Sequence, residues 1–273
     1  MYINGVFEGG GIKGLAYIGA IKFLEERGYQ FKYVGGSSVG SLFAALLAAK
    51  FKAAEMEAIV EGFDINTLTA SKSKKPINKF INGIKYKGLY SMAFFENYLE
   101  NLFGSKNCLY FRDVKLGEDY LLNIIVTDYK NKKMITIPSD LGEYNYSKDA
   151  FPIAKAVAMS CSMPFVFVPY KIKDNVFIDG GVINNFPINL FTHSNIPTIG
   201  FRLNENEKPN KLINIVKNKI FKTAIDYKLD AYNIVDINTG KYKVTDFKKG
   251  LDNYKDLIKL GYNSMRDYFY RKY

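Results

Sequence analysis

Apolar positions along the chain fall into short runs that end in glycine, each followed by a longer amphipathic or buried stretch. Tyr2–Phe7 reads as a first buried strand and runs straight into Gly9-Gly10-Gly11. The next stretch places Tyr17, Ile21 and Leu24 on one helical face, with Gly28 as the stop. Residues 31–34 read as a second strand and residues 39–50, rich in alanine and leucine, as a buried helix. The first fifty residues therefore predict a β-α-β-α unit, which implies a parallel sheet with helices on its faces.

Further on, Met92, Phe95, Leu99 and Leu102 recur at helical spacing. Residues 120–127 and 133–138 predict two strands joined by a turn, and residues 148–159 a helix with alanines facing the sheet. Short strands are expected at 165–168, between two prolines, at 176–178 and at 197–201, with a helix at 185–191. In the tail, Leu212, Val216, Ile220 and Ala224 mark one amphipathic helix. A second carries Leu251, Tyr254, Ile258, Tyr262, Met265 and Phe269. No linker rich in Pro, Gly or Ser divides the 273 residues, so one domain over 1–273 is expected. Its lysine-rich helical part, 204–273, is expected to pack on that same domain.

Composition adds limits. An apolar fraction of 48%, 15% of residues being aromatic, supports a sizeable core and excludes a disordered chain. No basic segment followed by an apolar one opens the chain, and residues 39–50 are too short to span a bilayer. The expectation is a cytoplasmic protein that works peripherally at a membrane surface, with signal-independent secretion left open. The net charge of +11 suggests an anionic partner, either a phospholipid surface or nucleic acid. Residues 65–95 hold six lysines, no acid, and interleaved aromatics and isoleucines. That stretch is either a solvated loop and helix face or part of a lid, here placed at 65–110, that meets a membrane. Cys108 and Cys161 have no metal-ligand spacing and read as reduced thiols, so no metal site is expected.

Chemistry concentrates at the glycines. Gly36-Ser37-Ser38-Val39-Gly40 fits G-x-S-x-G, the strand-turn-helix elbow of a nucleophilic serine. Only Ser38 has glycine both two before and two after it. The start of the following helix favours the negative charge that builds on attack. Gly9, Gly10 and Gly11 also follow a strand and open a helix, so their amides suit an oxyanion hole. A serine hydroxyl needs a base. Asp179, at the end of a short strand before Gly180-Gly181, is one candidate, and the lone histidine, His193, is the other. A Ser-Asp dyad fits better than a triad. Residues 9–14 satisfy G-x-G-x-x-G as well, but no acid stands at the end of the second strand to hold a ribose.

The three motifs GGGIKG, GGSSVGS and DGG, in that order, resemble the patatin-like phospholipase family. The likeness extends over residues 3–50 and 148–201. It implies an α/β fold, a three-layer α/β/α sandwich around a mostly parallel sheet. It implies that Ser38 is the nucleophile and Asp179 its base. Gly9, Gly10 and Gly11 become the oxyanion loop, with Gly10 and Gly11 its leading donors. Lys13 and Gly14 complete the first motif, Gly36 and Gly40 frame the elbow, Gly180 and Gly181 follow the base, and Asn185 and Pro187 shape the loop beyond. The family hydrolyses acyl esters of lipids without calcium or a cofactor. A phospholipid or other acyl lipid at an anionic membrane surface is then the expected partner, and nucleic acid is not. Two readings compete: a basic membrane- or nucleic-acid-binding protein without activity, and a dinucleotide-binding oxidoreductase.

Overall fold

In the computed structural model, residues 1–64, 79–81, 84–86, 91–204 and 232–272 are described. The strands are β1 (Tyr2–Phe7), β2 (Gln30–Ser37), β3 (Lys79–Ile81), β4 (Ile84–Tyr86), β5 (Lys115–Leu116) and β6 (Asp119–Tyr120). They continue with β7 (Leu122–Asp128), β8 (Lys133–Ile137), β9 (Tyr170–Ile172), β10 (Asn175–Asp179), β11 (Thr198–Asn204) and β12 (Asn233–Asn238). The helices are α1 (Ala16–Glu26), α2 (Val39–Ala48), α3 (Ala53–Glu61), α4 (Ala93–Gly104), α5 (Ile153–Ser160), α6 (Phe247–Asp252) and α7 (Tyr254–Lys272).

Among the described residues, eight strands make the central sheet, in the order β12-β11-β1-β2-β7-β10-β9, with β8 paired to β7. The pairs from β12 through β7 are parallel; β8, β9 and β10 join antiparallel. The result is a mostly parallel, mixed sheet with flanking helices, as expected from the resemblance.

Side chains alternate between two cores, as a pleated strand requires. Phe7, Val34, Phe201, Leu203, Val235 and Ile237 face the larger core, under α1, α2, α5 and α7. Val6 and Ile234 face the other side, with Phe186, Ile188 and Phe191.

One edge of β7 positions the site. Residues 122–125 pair with β2 and residues 126–128 with β10, while β8 runs along residues 124–128. A strand has two edges, so β2 and β10 share the one that β8 leaves free. Ser37 pairs with Ile125 and Asp179 with Val126. The C-terminal ends of β2 and β10 therefore meet head to head.

Several expectations need correction. Residues 165–168 form no strand: the chain turns at 164–166, Phe165 has φ +70°, and the amides of Val166 and Phe167 both donate to Met163 O. The prolines at 164 and 169 have no N–H to give a ladder. The helix expected over 148–159 begins only at Ile153, after an extended Pro152 at ψ 132°. The helix expected over 185–191 is one short turn, Ile188–Phe191. The tail is not wholly helical, since β12 adds a strand to the sheet edge. The helix marked by Leu212, Val216, Ile220 and Ala224, and the lysine-rich part of the 65–110 stretch, lie outside the described residues, apart from the backbone of β3 and β4.

α7 is 19 residues long and lies across α1. Two glycines make the crossing close. A Cβ on Gly19 would lie 1.8 Å from Ile258 O, and one on Gly261 would lie 1.7 Å from Ala16 O. Arg27 caps the crossing, 3.5 Å above the Phe23 ring and facing Phe269.

Gly261→Ala tests that crossing. Helix propensity alone would stabilise the alanine by about 1 kcal/mol. The clash with a backbone carbonyl outweighs it, and we expect a net loss of about 1–3 kcal/mol, read as a lower urea midpoint at unchanged slope. A midpoint at or above wild type would mean the helices part without cost.

Candidate active site

Ser38 stands at the turn between β2 and α2 with φ 50° and ψ −130°, a region that L-residues enter only under constraint. The neighbouring glycines supply the constraint. A Cβ on Gly36 would lie 2.5 Å from Gly40 C, and one on Gly40 would lie 2.2 Å from Phe7 O. The end of β1, the elbow and the first turn of α2 therefore pass in backbone contact. Gly14 allows a similar approach, since a Cβ there would meet both γ-carbons of Val39 at 2.8 Å.

Hydrogen bonds fix the elbow from below. Ser38 N–H donates to Ser160 Oγ at 2.9 Å, and Ser160 Oγ–H donates on to Ile125 O at 2.7 Å. Ser41 Oγ–H donates to Ser38 O at 2.6 Å. No spacing in the sequence marks Ser160 or Ser41 for this role. Ser37, the other serine of the elbow, is fully buried, and its hydroxyl has no hydrogen-bond partner among the described residues.

The meeting of β2 and β10 brings Ser38 to Asp179 across 141 residues of chain, with Ser38 Oγ–H donating to Asp179 Oδ2 at 2.7 Å. Both side chains are buried. Gly181 N–H donates to Asp179 Oδ1 at 2.7 Å and sets the carboxylate plane. Thr127 Oγ–H holds the Asp179 carbonyl at 2.9 Å. Gly180 is tight against the sheet: a Cβ there would lie 2.1 Å from Ile125 O.

The glycine loop passes over the serine, since a Cβ on Gly9 would lie 3.0 Å from Ser38 Cβ. Its three amides differ. Gly9 N–H donates to Asn185 O at 2.9 Å, and Asn185 Nδ2 returns a bond to Gly9 O at 2.9 Å. Gly9 is thereby a clamp to the loop after Asp179, and its amide is spoken for. The amides of Gly10 and Gly11 make no hydrogen bond among the described residues. Asn185 Nδ2 also reaches Glu8 Oε1 at 3.2 Å, and Glu8 Oε2 accepts from Leu203 N–H at 2.7 Å. Tyr17 OH donates to Glu8 O at 2.7 Å, and its burial and the nearby Glu8 carboxylate keep that phenol protonated. Lys13 is buried in the short helix Gly11–Leu15 beneath the loop.

Ser38 opens into a cavity of about 160 Å³. Its walls are almost wholly apolar, among them Leu42, Leu46, Met56, Phe95, Leu99 and Phe247. Cys161 also lines it. Burial, and after it the Asp179 carboxylate, push the Cys161 thiol well above its ordinary value of 9.0, against a hydrogen bond with Ser41. His193 is exposed and borders a separate polar cleft with Lys32, Glu118 and Asp119, which Ser38 does not line.

Comparison with known proteins fits this arrangement. The sequence profile of the patatin-like phospholipase family matches residues 5–192, more than half of the chain. The chain belongs to the patatin-like phospholipase family. Its patatin-like sequence is 35% identical to YqhO of Bacillus subtilis over 282 residues, covering 96% of both chains. It is 26% identical to lysophospholipase NTE1 of Kluyveromyces lactis over 192 residues, covering 68% of this chain but 11% of that one. Among solved structures, VipD of Legionella pneumophila superposes with a TM-score of 0.60 at 16% identity, over 97% of this chain and 66% of that one. ExoU of Pseudomonas aeruginosa, in complex with SpcU, gives 0.53 at 16% identity, over 99% of this chain and 51% of that one. At such identity these structures speak for the patatin-like fold alone. Among the described residues no helix is long and apolar enough to cross a membrane.

The thiolate is the reactive form of cysteine. Cys161 should therefore resist iodoacetamide at pH 8.5 in the native protein and react at least about tenfold faster in urea, as read by peptide mass spectrometry. Above pH 9 the unfolded chain alone releases this proton, so the thiol also lowers stability as pH rises. Equal labelling in both states would show that the site is wet.

Proposed function

We propose that the chain is a serine acyl hydrolase of lipid esters, of the phospholipase A or lysophospholipase type, acting at an anionic membrane surface. One observation carries the reading: the hydroxyl that is bonded to a buried carboxylate also opens into an apolar cavity. A peptide or a small polar ester has no use for such walls, whereas a fatty-acyl chain does.

Asp179 takes the Ser38 proton as the hydroxyl attacks the acyl carbonyl, and a tetrahedral oxyanion forms. The amides of Gly10 and Gly11 and the N-terminus of α2 meet that charge. Collapse breaks the ester bond, and the proton held on Asp179 passes to the leaving alcohol or lysolipid. Water, deprotonated by the same carboxylate, then attacks the acyl-serine; fatty acid leaves and Ser38 is restored. Protein groups supply the base and the donors, so chelators should leave the rate unchanged. The net charge of +11 favours phospholipid surfaces. The described end of the 65–110 stretch, residues 91–110, serves as a cap on that cavity. In support, Met92, Phe95, Tyr98, Leu99 and Leu102, from that stretch, wall the cavity.

Lipid extracts incubated with wild type, Ser38→Ala and Asp179→Asn test the assignment. Wild type should release fatty acid, and both variants should stay folded yet lose roughly 10³-fold or more in rate. A fluorophosphonate probe should label Ser38. Wild-type turnover in Ser38→Ala, or labelling of another residue, would overturn it.

A further inference from the structure

The family profile ends at residue 192, yet residues far beyond it grip the glycine loop. Ile12 N–H donates to Val244 O at 3.2 Å. Gly11, at φ +54°, lies so close that a Cβ would stand 2.2 Å from Val244 O and 2.9 Å from Val244 Cγ1. Six residues on, Gly250 of α6 is buried against Ile12, and a Cβ on it would lie 2.1 Å from Ile12 Cγ1. Leu203 of β11 fills the space beside Gly10, 2.3 Å from where its Cβ would be. Phe247 and Leu251 of α6 wall the same cavity as Ser38.

The gripping segment is itself anchored. Tyr242 is buried and donates to Asp256 Oδ2 at 2.8 Å, and Lys241 Nζ pairs with the same carboxylate oxygen at 2.7 Å. Asp256 belongs to α7, which is locked on α1 through Gly19 and Gly261.

We infer that residues 239–252 are a positioning element for hydrolysis: Val244 and Gly250, through Gly11 and Ile12, set where the Gly10 and Gly11 amides point. The inference rests on the hydrolase reading above. An oxyanion donor acts only when aimed at the oxygen as charge develops, and loss of one such donor costs about 10²–10³ in turnover. A shift of the loop should therefore lower kcat and leave substrate capture, and so KM, nearly untouched.

The test uses a soluble short-chain ester, p-nitrophenyl butyrate, with thermal melting run in parallel. Gly250→Ala gains helix propensity but drives a methyl into Ile12, and its kcat should fall about tenfold or more with KM within about twofold. The double variant Ile12→Ala/Gly250→Ala gives the methyl room and should recover most of the lost turnover. Lys22→Ala, exposed on α1 and outside this segment, should behave as wild type. Wild-type kcat in a folded Gly250→Ala, or a double variant as impaired as the single, overturns the positioning role. Should Gly250→Ala fail to fold, Val244→Ala decides: it trims the side chain against Gly11, and kcat should fall at least about threefold at unchanged KM. Wild-type kcat there also overturns it. If wild type itself hydrolyses no ester and Ser38 takes no fluorophosphonate, the hydrolase reading falls first, and this one with it.

Discussion

Ser38 is held at φ 50° and ψ −130°, and for a residue with a side chain such a backbone costs about 1–3 kcal/mol. Strain of that size persists only where the surroundings leave no alternative. Here they leave none. Two glycines press the strand end, the turn and the helix start into backbone contact. Ser160 holds the Ser38 amide and Ser41 holds its carbonyl. Relaxing the turn would open buried hydrogen bonds, each worth about 1–3 kcal/mol when a partner is stranded. The backbone of Ser38 is thus held in place, and the bond to Asp179 Oδ2 aims its hydroxyl.

The sheet decides what it points at. β7 carries β2 along the first half of one edge and β10 along the second. The parallel strand and the antiparallel one run toward each other, and their last residues face Ile125 and Val126. Two motifs far apart in the chain become neighbours through the register of a third strand that contains neither. Ser160 Oγ bonds Ile125 O, so the same point on β7 also supports the elbow.

Much of this was legible in the sequence, and the limits are physical. The β-α-β-α opening follows from alternating apolar runs and glycine stops, and β1, α1 and α2 stand close to where the pattern puts them. Ser38 was selectable because a strained turn needs glycine on both sides, which is a local rule. The strand expected at 165–168 failed because apolar residues between prolines look strand-like by composition but lack ladder donors. β12 was missed because Ile234 and Val235 are adjacent apolar residues that face opposite cores, which erases the alternation. Ser160, Glu8 and Val244 act through tertiary contacts from distant segments, and no spacing encodes those. The distinct job of Gly9 was hidden for the same reason: which amide of three glycines is engaged depends on Asn185, far along the chain.

The carboxylate and the cavity set conditions on each other. A buried carboxylate is costly unless donors face it. Gly181 N–H and the Ser38 hydroxyl face this one. In apolar surroundings each of those bonds is stronger than it would be in water. Burial in the same cavity pushes the Cys161 thiol above its ordinary range, so it lines the wall as a neutral group. The apolar walls that Ser38 opens onto thus also set the low-dielectric surroundings of the Ser38–Asp179 bond. Filling the cavity with apolar groups would lower the local dielectric further, which couples occupancy of the cavity to the strength of the bond between Ser38 and Asp179.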